Sequence, residues 1–132
     1  MTLRKDLEEL SKIGQKRDSC KVLNNQVEFE ILSVGQMIDC LRACVNLDLF
    51  TREKELQVQI LARATRAISG SPVTMEDMFE FYRGLQEPVF QLFSNEYQTM
   101  RGVQAIEVET LRNPEVKNKV ETKVKTDGKQ TS

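Results

Sequence analysis

Between Val27 and Val45 apolar side chains recur at intervals of four, three, four, three and four: Val27, Ile31, Val34, Ile38, Leu41 and Val45. At 3.6 residues per turn these six share one face, so the spacing predicts an amphipathic helix over 26–47. Asn25, with Glu28 three residues on, fits a capping box at its start. In heptad terms Ile31, Ile38 and Val45 fall at a, and Val27, Val34 and Leu41 at d. Met37, Cys44 and Leu32 widen the apolar arc beyond a two-stranded seam, as for a helix packed on several neighbours. The stretch Val22 to Ile31 also reads as two short strands around an Asn-Asn turn. The helical period runs on for three more turns, whereas the alternation ends at Leu32, so a helix is the expectation.

The same pattern marks four further helices. Leu3, Leu7, Leu10 and Ile13 predict one over 3–17. Leu56, Ile60, Ala64 and Ala67, flanked by Leu61 and Ile68, predict 52–69, closed by Gly70 and Pro72. Thr74 before Glu76 and Asp77 signals an N-terminus, and Met75, Met78, Tyr82 and Leu85 carry that helix over 75–86. Pro88 opens a last helix over 88–111 through Val89, Phe93, Tyr97 and Met100. Beyond Asn113 only isolated valines remain among Lys, Thr, Asn and Gly, too little apolar surface to offset chain entropy. The expected architecture is all-α, a bundle of four to five helices forming a single domain over 1–112, followed by a disordered polar and basic tail over 113–132.

Composition changes this picture little. With 39% apolar and 30% charged residues in 132, the chain can bury a core without disulfides or metal. The formal charge of −1 provides no global field toward nucleic acid or membrane. Its distribution is uneven: residues 22–112 carry eight Lys/Arg against thirteen acids, and the last twenty carry five Lys against three. No apolar run approaches the ~18 residues of a membrane span, and the start lacks a signal-peptide pattern. A cytoplasmic or nuclear protein, not a secreted or membrane one, is expected. Three scattered cysteines, Cys20, Cys40 and Cys44, fit reduced thiols.

Candidate chemistry is limited by the absence of histidine. Ser-His-Asp and Cys-His catalysis and the usual zinc sites cannot be assembled. Cys40 and Cys44 share a helical face, but with Cys20 they supply only three thiolates at no zinc-motif spacing. The acids at Glu53/Glu55 and Glu76/Asp77/Glu80 are explained by helix dipoles. No catalytic, cofactor-binding or metal residues are therefore assigned, and the chain is read as a non-enzyme.

Six of eight aromatics lie between Phe79 and Tyr97, interleaved with acids that would repel phosphate. Most suit a core, yet Phe81 and Phe90 fall off the main stripes. The favoured reading is a protein–protein interaction module, an adaptor subunit or small regulator, whose contact surface is expected at Leu32, Met37, Phe81, Phe90 and Tyr97. The alternative is a helical nucleic-acid binder using Arg63, Arg66 and the tail lysines Lys117, Lys119, Lys123 and Lys125. The partner is expected to be another protein, and the seam is compatible with a homo-oligomer.

Overall fold

A computed structural model of the chain describes residues 2–113. The expected tail, with Lys117, Lys119, Lys123 and Lys125, lies outside the described residues except for Asn113. In chain order the elements are α1 (Thr2–Lys12), β1 (Arg17–Val22), β2 (Asn25–Glu30), α2 (Val34–Ala43), α3 (Leu49–Ala64), β3 (Thr65–Ile68), β4 (Ser71–Pro72), α4 (Met75–Gly84) and α5 (Glu87–Arg112).

The fold is α+β. The expected all-α helical bundle is overturned by a four-stranded antiparallel sheet in the order β1-β2-β3-β4. The expected helix over 26–47 is a strand over its first five residues. Strand β2 hairpins onto β1, from Arg17↔Glu30 to Val22↔Asn25. The link is a two-residue turn in which Leu23 and Asn24 have φ of +50° and +68°. Two successive left-handed residues match the right-handed twist of paired strands, which makes so short a connection workable. Asn25 serves this turn, its side-chain amide donating to the Leu23 carbonyl at 3.2 Å, and caps no helix. Phe29 decides between the two periods. Val27 and Ile31 stand four apart, which suits either, but a helix would send Phe29 away from them. As a strand, Val27 and Phe29 point inward with no exposure, and Ile31 follows them into the core.

The second correction falls on the expected helix 52–69. Helix α3 stops at Ala64, and the next four residues become β3. Ser69 and Gly70, at φ +52° and +81°, turn the chain into β4. β3 pairs with β2 through Val27↔Ile68, Glu28↔Ala67 and Phe29↔Thr65, with an irregularity at Glu28/Phe29. Pro72 is tolerated because β4 is the edge strand.

Helices α4 and α5 form within a few residues of the expected spans, Thr74 capping α4 by accepting from the Asp77 amide. Contacts group the chain into two compact units, one within Lys16–Met100 and one from the residues before and after it. In the larger unit the core gathers Val22, Val27 and Phe29 of the sheet, Leu61 and Ala64 of α3, Met78 and Tyr82 of α4, and Phe90, Phe93 and Tyr97 of α5. Edge-to-face aromatic contacts run through it, Phe29–Tyr97 at 5.7 Å and Tyr82–Phe93 at 5.4 Å between centroids. The Tyr82 hydroxyl is satisfied by Thr65 Oγ1 at 2.6 Å. In the other unit, Gly14 has φ +83° and its carbonyl accepts from Gln104 Nε2 at 2.7 Å. A Cβ on Gly14 would stand 3.1 Å from Val108 Cγ2.

Candidate functional site

Large apolar side chains stay exposed on α1, on α2 and the residues just after it, and on α5; those of α2 belong to the larger unit. Ser33 starts this helix with a reciprocal capping box: its hydroxyl accepts from the Gln36 amide at 3.3 Å, and the Gln36 side chain accepts from the Ser33 amide at 2.9 Å. One side of α2 is anchored by Cys40 and Cys44, both buried. About 100° around the helix, Val34, Ile38 and Leu41 form a stripe at i, i+4 and i+7, and Val45 follows in the turn after the helix. These four are 42–78% exposed. Asp48 caps α3 by accepting from the Thr51 amide at 3.0 Å, and the same hydrogen bond holds its carboxyl below the usual carboxylate range. Arg52 donates to the carbonyls of Val45 and Leu47, which ties the start of α3 to the end of α2. Leu49 and Phe50 stand at this junction, Phe50 being 92% exposed. Six large exposed apolar side chains thus stand on α2, in the turn after it and at the start of α3.

The expected contact residues are placed differently. Leu32, Phe90 and Tyr97 are buried. The Leu32 amide donates to the Tyr97 hydroxyl at 3.3 Å, so these two residues join the α2 entrance to α5 inside the core. Phe81 is half-buried against Tyr82 and Phe93. Met37, half-buried, is the one expected contact residue beside the exposed stripe, on the α2 flank between that stripe and Cys44. The sequence pattern marks Val34, Ile38, Leu41 and Val45 as a seam and leaves open whether it packs within the chain or against another copy; in the structure all four are exposed.

The basic candidates are engaged inside the larger unit. Arg63 donates to the Gln59 carbonyl at 3.1 Å and stacks over Phe79. Arg66 lies 3.3 Å from Glu30. The described members of the basic set are thus already matched by acceptors, an aromatic face or a carboxylate.

Other groups with chemical potential are likewise occupied. A cleft of about 210 Å³ is bordered by Lys54, Glu55, Arg83 and Glu87. Lys54 pairs with Glu87 at 2.6 Å and Arg83 with Glu55, so its charges cancel in pairs. Burial pushes the Glu55 carboxyl up, but hydrogen bonds from Arg83 and Gln59 outweigh it and leave it below its ordinary value. Burial pushes up all three thiols, Cys20 to about 11 with help from Glu96 and Asp18. A raised value favours the protonated, less nucleophilic form of each thiol. No cluster of three or more metal-binding side chains occurs among the described residues. Nor is any described helix long and apolar enough to cross a membrane.

Comparison with known protein families, curated proteins and solved structures returns no significant match to this chain.

Proposed function

We propose that the chain is a non-catalytic protein–protein interaction module, an adaptor subunit or small regulator of a larger assembly, acting in the cytoplasm or nucleus. Its contact surface is formed by Val34, Ile38 and Leu41 of α2 and Val45 of the turn after it, with Leu49 and Phe50 at the start of α3. One observation carries this reading: a helix held by two buried cysteines and a double cap nevertheless turns a full apolar stripe to solvent. Scattered exposed apolar residues are ordinary, whereas a contiguous patch on a rigid element is the mark of a docking surface. A helix presenting residues at i, i+4 and i+7 matches the way an amphipathic helix packs on a second protein. The absence of histidine and the raised thiols support a binding role over catalysis.

The test is affinity capture with tagged full-length chain from its native lysate, with and without nuclease, beside a chain carrying Ile38→Glu and Leu41→Glu. A discrete protein at near-equal stoichiometry, indifferent to nuclease and lost with the double substitution, is the expected result. Bound material that disappears with nuclease, or that ignores the double substitution, would overturn the assignment.

A further inference from the structure

The α2 stripe has a symmetry that bears on what covers it. Its spacing, four-three-four, reads the same in both directions. A second α2 laid antiparallel across a two-fold axis midway between Asp39 and Cys40 therefore sets Ile38 opposite the partner's Leu41, with Val34 toward the turn that carries the partner's Val45. Every large side chain of the stripe then meets another, so the surface is complementary to itself.

The charged flank selects this direction. Arg42 lies on one edge of the stripe and Asp39 farther round on the same side, and neither is in an ion pair among the described residues. In the antiparallel arrangement each Arg42 falls two residues, or about 3 Å along the axis, from the partner's Asp39, within reach of a side chain that leans toward its own N-terminus. A parallel two-fold arrangement would instead turn this edge toward the partner's opposite flank, where Met37 stands, and would form no such pair. Gly35 is on the same edge, and a Cβ there would meet nothing in its own chain nearer than Ser33 Oγ at 4.0 Å. The isolated fold makes no use of that missing side chain, but two helices crossing closely would. Repulsion between copies is small at a formal charge of −1. A stable pair covers about 800 Å² on each partner. The stripe, with Leu49 and Phe50 added at the Val45 end, presents six large and largely uncovered side chains toward that area.

We propose that the occupant of the α2 face is a second copy of this chain, packed antiparallel about a two-fold axis with reciprocal Arg42–Asp39 pairs. This rests on the reading of α2 as the contact surface and names its partner.

Sedimentation equilibrium of the full chain, from micromolar to hundreds of micromolar, tests it. A reversible dimer is expected. Ile38→Glu should convert it to a monomer with an unchanged far-UV circular dichroism spectrum, since Ile38 belongs neither to the buried core nor to the side chains packed against it. Asp39→Arg and Arg42→Asp, taken singly, should each weaken dimerisation roughly five- to ten-fold, because each puts like charges opposite one another at two symmetric places. The double variant restores the pairs in reverse and should return the affinity to within about three-fold of the parent. A chain monomeric throughout, a dimer indifferent to Ile38→Glu, or a double variant no better than the worse single one would each overturn the proposal. If the chain is monomeric and the same face captures a different protein, the self-pairing falls and the interaction reading stands. If Ile38→Glu changes neither self-association nor capture, both fall.

Discussion

Single side chains separate core from surface in a way that can be measured. Phe90, off the main stripe of its helix, and Tyr97, on it, are both expected at a contact surface, but both are buried, and the Tyr97 hydroxyl accepts from the Leu32 amide. Sequence periodicity cannot show this, since it sorts residues by face and not by what a hydroxyl 65 residues away will satisfy. Phe90→Ala should therefore destabilise the chain by about 3–5 kcal/mol through the cavity it leaves. Tyr97→Phe should cost about 1–3 kcal/mol by orphaning a buried amide. Ile38→Glu, on the exposed stripe, should stay within about 0.5 kcal/mol. Denaturant unfolding of the three variants checks the ranking, and a large loss for Ile38→Glu would place the stripe in the core. Glu55 adds a pH dependence of definite sign. Its folded-state pKa lies below the unfolded one, so the unfolded chain takes up the proton first. Its contribution is complete above the ordinary value of 4.5 and is lost as pH falls through the folded value. Glu55→Gln should flatten that part of an acid titration of stability. The thiols run the other way. With Cys20 raised to about 11 and the other two also raised, the native chain at pH 8 should resist alkylation until denaturant is added.

Whole elements were legible in the sequence where one period ran without competition. The spans α4 and α5 follow from the Thr74 cap, the acids behind it and Pro88, all local signals. The sheet was hidden for two separate reasons. In β2, four-residue spacing belongs equally to a helix turn and to two strand repeats, and the longer helical run beyond Leu32 outweighed the alternation at Phe29. In β3, only four residues separate the end of α3 from the Ser69-Gly70 turn, and a strand that short forms by pairing with β2, a contact 40 residues away in the chain. Pairing partners at that distance leave no local trace. The turn between β1 and β2 does leave a measurable strain. Leu23 holds φ +50° with its side chain in solvent, a conformation that costs a non-glycine residue about 1–2 kcal/mol. Leu23→Asn should recover about 1 kcal/mol, because Asn tolerates that region and suits the first position of such a turn. Thermal unfolding of the variant reports the gain, and a loss of stability would mean that Leu23 packs where it now stands exposed. At the start of α2, Ser33→Ala removes one half of the capping box and should cost about 1 kcal/mol.

For the molecule as a whole, the absence of histidine matters more than any residue present. Side chains whose ordinary pKa lies between about pH 5 and 8 are histidines alone, so across that range this chain has almost nothing to titrate. The groups with displaced values move out of the window, Glu55 and Asp48 downward and the three thiols upward. The charge of −1 thus persists over the range in which most assemblies work. An interface built from Val34, Ile38, Leu41 and Val45 with Arg42–Asp39 pairs contains no group that changes state there either. Dimerisation measured at about pH 6 and about pH 8 should agree within roughly two-fold. Salt separates the two parts of the interface: raising ionic strength weakens the exposed ion pairs through screening and leaves the apolar stripe intact. A modest decline in affinity with salt, at constant pH response, is the pattern expected of a hydrophobic seam oriented by charge. A steep salt dependence would instead assign most of the association to charged groups, and a pH step between 6 and 8 would require a titrating group that the α2 face does not contain.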